Sequence, residues 1–154
     1  MTRVLPAILA LIAIGVASPG RTQTSPPPVV LISEAEAKLP PLTDVALTTR
    51  AGVTRGPKVV LVSSAASAGV KSPFHLRFKL ESFGGAKIDP ASVKVTYLKN
   101  PAVDLTERFG KITQADGLEL VAAEAPAGVH HIRVTVQDSE GRRSSANFAL
   151  KVLP

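Results

Sequence analysis

Between Pro126 and Val152 the chain alternates apolar and polar residues on both sides of one tight turn. Ile132, Val134 and Val136 alternate with Arg133, Thr135 and Gln137, the period of two that gives a strand one buried face. Pro126-Ala127-Gly128 turns the chain before this strand. After it, Asp138-Ser139-Glu140-Gly141 reads as a hairpin turn, with Gly141 where positive φ is needed. Ala146, Phe148, Leu150 and Val152 then fall on one side of the returning strand. This is the closing hairpin of an antiparallel β domain.

The upstream chain supplies more strands of the same kind. Lys58 to Ser63 is a first strand. Pro73 opens a second, with Phe74, Leu76, Phe78 and Leu80 facing inward and His75, Arg77, Lys79 and Glu81 outward. Phe83-Gly84-Gly85 turns the chain, Asp89-Pro90 starts a strand with Val93, Val95 and Tyr97 inward, and Asn100-Pro101 ends it. Asp104-Leu105-Thr106-Glu107 has the spacing of a capping box, and a one- or two-turn helix there lays Leu105 and Phe109 on the end of the core. Ala115-Asp116-Gly117 is a turn leading into Leu118 and Leu120. The expectation is an all-β, antiparallel β-sandwich of about seven strands with one short helix, over residues 57–154.

The N-terminal third is different material. Met1-Thr2-Arg3, an apolar run to Ala17 and the small residues Gly15-Val16-Ala17 read as a secretory signal peptide over residues 1–17. That run is shorter than the roughly 20 residues a spanning helix needs. Ser18 to Gly56 holds Pro19, Pro26, Pro27, Pro28, Pro40 and Pro41, and reads as a Pro-rich, disordered linker or arm that buries little. Inside it, Ser33-Glu34-Ala35-Glu36 has capping-box spacing, and Pro40 limits any helix there to two turns. The chain has no cysteine, which excludes disulfides and thiol chemistry and fits a periplasmic or extracellular domain that folds without bridges. Its net charge of +6 favours anionic partners. The positive residues are dispersed, and export argues against nucleic acid.

Four stretches carry a family likeness. Ile88-Asp89-Pro90-Ala91-Ser92-Val93-Lys94-Val95, Ala115-Asp116-Gly117-Leu118, Pro126-Ala127-Gly128-Val129-His130 and Val134-Thr135-Val136-Gln137-Asp138-Ser139-Glu140-Gly141 resemble the bacterial immunoglobulin-like domains of exported proteins. The resemblance covers about Pro57 to Val152. It implies an immunoglobulin-like sandwich, a fold that serves spacers, adhesins and enzyme accessories alike.

Candidate chemistry is sparse. His130 and His131 are adjacent on a strand, point to opposite faces and cannot share a metal ion. His130 has inward parity and sits where sandwich domains often place a tyrosine bonded to the preceding loop, so it reads as a structural corner. Asp138 and Glu140 offer two carboxylates beside Arg142 and Arg143, too few oxygens for calcium. No nucleophile elbow, phosphate loop or zinc-protease motif occurs. No catalytic residue, metal ligand or cofactor site is therefore expected. The remaining feature is a basic sheet face of Lys94, His131, Arg133 and Lys151, with Arg142 and Arg143 at one end, fit to meet an anionic surface. The reading is an exported binding or spacer module whose partner is another envelope protein, a polysaccharide or an anionic lipid surface. The rivals are an accessory subunit or cryptic hydrolase, and a strand-capturing periplasmic chaperone.

Overall fold

The computed structural model describes residues 27–42, 56–63, 68–110 and 117–154. Among them nine strands form two sheets: β1 (Val29–Val30), β2 (Lys58–Leu61), β3 (Val70–Lys71), β4 (Phe74–Glu81), β5 (Lys94–Tyr97), β6 (Val103–Asp104), β7 (Leu118–Glu124), β8 (Gly128–Gln137) and β9 (Arg143–Leu153). One sheet runs β1-β7-β4-β2 and the other β3-β9-β8-β5-β6. The chain is an all-β sandwich.

The long alternating stretches behave as their period requires. Phe74, Leu76, Phe78 and Leu80 are buried on β4, as are Val95 and Tyr97 on β5 and Ile132, Val134 and Val136 on β8. The turn between β8 and β9 closes with Gly141 N–H donating to Asp138 O, and Gly141 takes φ 77°. Gly117 enters β7 under a harder constraint: its φ is 70°, and a Cβ there would collide with the carbonyl oxygen of Phe78. β7 also carries one extra residue between the pairs Phe74↔Ala123 and Leu76↔Leu120, a bulge that bends it against β4.

The strand count exceeds the expected seven because β1, β3 and β6 are two-residue strands, too short to show a period. β1 and β3 pair parallel, with β7 and β9 respectively. The expected helix at Asp104–Glu107 is a 3-10 turn over Thr106–Phe109. Its capping differs from a capping box, because Asp104 Oδ1 accepts from Thr106 N–H two residues on. Leu105 and Phe109 are both buried, and the Phe109 ring lies 6.1 Å from that of Phe78.

The largest correction concerns residues 18–56, read as an arm that buries little. Val29 to Pro41 belongs to the sandwich. Leu31 and Ile32 are 0% and 1% exposed within the core, and their N–H groups donate to Glu124 O on β7. The Ser33–Glu36 box forms in full and starts a one-turn helix, α1 (Glu34–Ala37). A helix that short is marginal by itself. Here Arg108 clamps Glu36 through Nη1 and Nη2, at 3.0 and 2.6 Å, and Arg108 Nη1 also donates to Leu31 O. Lys99 Nζ reaches Ala37 O and Leu39 O at the other end of the helix, and Pro41 bridges Lys99. The prolines do what prolines do at an edge: they carry an extended chain that needs few ladder bonds. The proposed leader and residues 18–26 and 43–55 lie outside the described residues, as does the turn at Ala115-Asp116.

This packing sets a test. Leu31→Ala or Ile32→Ala should destabilise the protein by about 2–4 kcal/mol, the cost of a core cavity. Val30→Ser, on a side chain 51% exposed, should change it by less than about 0.5 kcal/mol. Equal melting of all three variants in urea would show that the segment is not part of the cooperative unit.

Candidate functional site

His130 sits on the inner face of β8, 3% exposed. Its Nε2 lies 2.8 Å from Pro126 O, and a carbonyl only accepts, so Nε2 carries the proton. In the neutral ring Nδ1 must then accept, and Tyr97 O–H donates to it at 2.9 Å. The imidazole thus joins β5, β8 and the loop before β8. Burial pushes its pKa below the usual histidine value; the bond to Pro126 acts the other way, and repulsion from Lys99 and His131 adds to the lowering. Both ring nitrogens are occupied by protein, which is the arrangement of a brace.

His131 lies on the opposite face, across from Ala149 on β9. His75, on the other sheet, contacts Glu119 at 2.6 Å. The structure brings neither of them to His130, and among the described residues no cluster of three metal-ligating side chains occurs.

Asp138 is nearly fully buried at the hairpin turn. Burial acts to raise its pKa, but hydrogen bonds from the Arg142 side chain and from the Arg142 and Glu140 amides more than offset this, and the net shift is downward. Arg142 bridges Asp138 at 2.7 Å and Glu140 at 3.0 Å. The turn therefore uses its own charges, and Arg142 is taken from the end of the basic face, where the sequence placed it with Arg143.

The outer face of the five-stranded sheet is the remaining candidate. Cross-strand pairing sets Lys94 beside Thr135, Arg133 between Thr96 and Asn147, Gln137 beside Arg143, and Val129 beside Lys151. Arg133 Nε donates to Asn147 Oδ1 and Arg143 Nε to Gln137 Oε1, so both guanidinium groups are held along the sheet. Two further charges come from β6 and β3, the strands too short to read in sequence. β6 places Asp104 beside Thr96, and its carboxylate lies 3.5 Å from Lys94, so the face is not free of acid. β3 adds Lys71 next to the end of β9. Arg133, Arg143, Lys151 and Lys71 have no ion pair among the described residues. The four-stranded sheet is mixed instead: Lys79 contacts Glu81 at 3.1 Å, and Arg77 lies opposite Glu119.

No family model, curated protein or solved structure matches this chain. Function must be argued from its own surface.

A cleft of about 540 Å³ beside the basic face is lined by Ser92, Lys94, Asp104, Thr106 and Glu107 among others. Thr106, through its hydroxyl and amide, holds the Asp104 pKa below the usual carboxylate value, and the Ser92 hydroxyl is bonded to Asp89 O and Gln137 N–H.

Two groups make stability fall with pH, in two separate windows. His130 has a folded pKa below its unfolded value of about 6.5, so the unfolded chain binds more protons and stability falls as pH drops below about 6.5. Glu36, held down to about 2 by Arg108, contributes fully above about 4.5 and is lost toward pH 2. Urea midpoints of the wild type should therefore fall between pH 7.5 and 5.5, and that slope should flatten in His130→Gln. Tyr97→Phe, which orphans Nδ1, should cost roughly 1–3 kcal/mol at pH 7.5. An unchanged slope in His130→Gln would dismiss the brace.

Proposed function

We propose that this chain is an exported, non-catalytic binding or spacer module that meets an anionic component of the cell envelope through the outer face of its five-stranded sheet. The observation that carries this reading is the row of cations without acidic partners among the described residues: Arg133, Arg143, Lys151 and Lys71. From Arg143 to Lys151 along β9 the face extends about 26 Å, at roughly 3.3 Å per residue. Charges at that spacing reinforce one another only weakly once salt is present, because the Debye length is about 8 Å at 0.15 M. A regularly charged, extended polyanion satisfies such a face better than a compact ligand does. The sandwich order, with β5, β8 and β9 in one sheet and β2, β4 and β7 in the other, supports the immunoglobulin-like resemblance, and with it a scaffold role. The closed hydrogen bonding of Ser92 and Asp104 weighs against the hydrolase alternative.

Binding of the full mature chain to anionic vesicles and to an anionic polysaccharide should be measurable at low salt and fall steeply past about 0.15 M. The two arms identify the source of the anion, and zwitterionic vesicles should not bind. Replacing Arg133, Arg143 and Lys151 together by Gln should abolish binding while the melting temperature is retained. Lys94→Gln should weaken it less, because Asp104 already neutralises that lysine. Absence of binding to either anion at low salt would overturn the reading.

A further inference from the structure

The segment Val29–Pro41 is held as a peptide ligand is held. Its hydrogen bonds to the rest of the chain run to residues distant in sequence: Glu124 on β7, Arg108, Lys99 and Asn100. Within the segment the bonds are only those of the one-turn helix and its cap. The site that receives it is assembled from three features of the sandwich. The edge of β7 offers two ladder positions at Ala123 and Glu124, the core accepts Leu31 and Ile32, and two cationic side chains address the ends of α1.

We propose that this segment is exchangeable, and that the site takes Val29–Pro41 of a second copy, so that two chains dock reciprocally. Three observations argue for that occupant. The contacts are sequence-specific, pairing Glu36 with Arg108 and two aliphatic side chains with an apolar site, and a second copy reproduces each of them. Only two ladder pairs join the segment to β7, and its other anchors are side chains, so exchanging it leaves the pairing among the remaining strands in place. Thirteen residues, 43–55, separate Leu42 from Gly56. Fully extended they reach about 45 Å, further than the roughly 35 Å across a domain of this size. The tether therefore permits both the internal and the exchanged arrangement, and effective concentration decides between them.

An open site is not a stable alternative. Leaving it empty exposes the core at Leu31 and Ile32 and unpairs the edge of β7, which is the condition that drives capture of an identical strand. The exchange requires no contact that the single chain lacks. It is independent of the basic face, which lies on the other sheet.

Charge reversal in the full chain tests it. E36R sets two guanidinium groups against each other at this site, and R108E sets two carboxylates against each other, so each variant alone carries a like-charge pair. Mixed, the two restore both opposite-charge pairs only by exchanging segments. Size exclusion with light scattering should show monomers for each variant alone and heterodimers in the mixture, with a rise in melting temperature. The combined E36R/R108E chain should be a monomer that melts near the wild type. A mixture that stays monomeric beside a well-folded combined variant overturns the proposal. If the combined variant is itself unstable, the wild type decides: native mass spectrometry of ¹⁵N-labelled and unlabelled chains at about 1 mM should reveal mixed dimers that E36R abolishes. Absence of those dimers, or their persistence in E36R, overturns it equally.

Discussion

β8 is the strand to which the rest of the molecule is referred. All ten of its residues pair with β9, and Ile132 to Thr135 pair with β5 on the other side. The same register buries Ile132, Val134 and Val136 on one face and presents His131, Arg133 and Thr135 on the other. A shift by one residue would exchange those faces and place charges in the core. The inner face also carries His130, whose two bonds tie the strand to Tyr97 on β5 and to the loop at Pro126. Core, brace and basic face are therefore three consequences of one pairing.

The four-stranded sheet is completed in another way. β4 and β7 form its centre, and β2 covers one edge over four residue pairs. The other edge is covered by chain from far upstream, Val29–Val30, in parallel register. An uncovered edge of β7 would present unpaired backbone groups next to an apolar site. The Pro-rich segment answers this with few ladder bonds and several side-chain anchors, Arg108 and Lys99 above all. That combination secures the segment through ion pairing and capping more than through sheet hydrogen bonds.

Charge on the two sheets is organised differently. On the four-stranded sheet cations and acids meet across strands, as Arg77 opposite Glu119, or along one strand, as Lys79 with Glu81. On the five-stranded sheet the neighbours of the arginines are amides: Asn147 beside Arg133 and Gln137 beside Arg143. Amides orient a guanidinium without neutralising it, so the positive field persists while the side chains lose freedom. Arg142 shows the contrary case. Its guanidinium is consumed by Asp138 and Glu140 in holding a turn.

Long alternation was readable directly. The inward faces of β4, β5, β8 and β9, the turn at Gly141 and the parity of His130 follow from a period of two, because each residue's face depends only on its place in its own strand. The capping box at Ser33 was equally readable, since its two hydrogen bonds join residues three apart. Lys94, Arg133 and Lys151 fell on the face that parity assigned them. What local pattern does not contain is the neighbour supplied by distant chain. Two-residue strands have no period, so β1, β3 and β6 were invisible, and with them Asp104 beside Lys94 and Lys71 beside β9. Pro-rich composition describes an extended backbone, but it does not say whether a groove elsewhere receives it. That was decided by Arg108, Lys99 and the edge of β7, all far along the chain from the segment they hold. The alternation of single strands determined which side chains face the core; only the tertiary structure decided which charges meet and which segment closes the sheet, because those depend on contacts between residues that no local period relates.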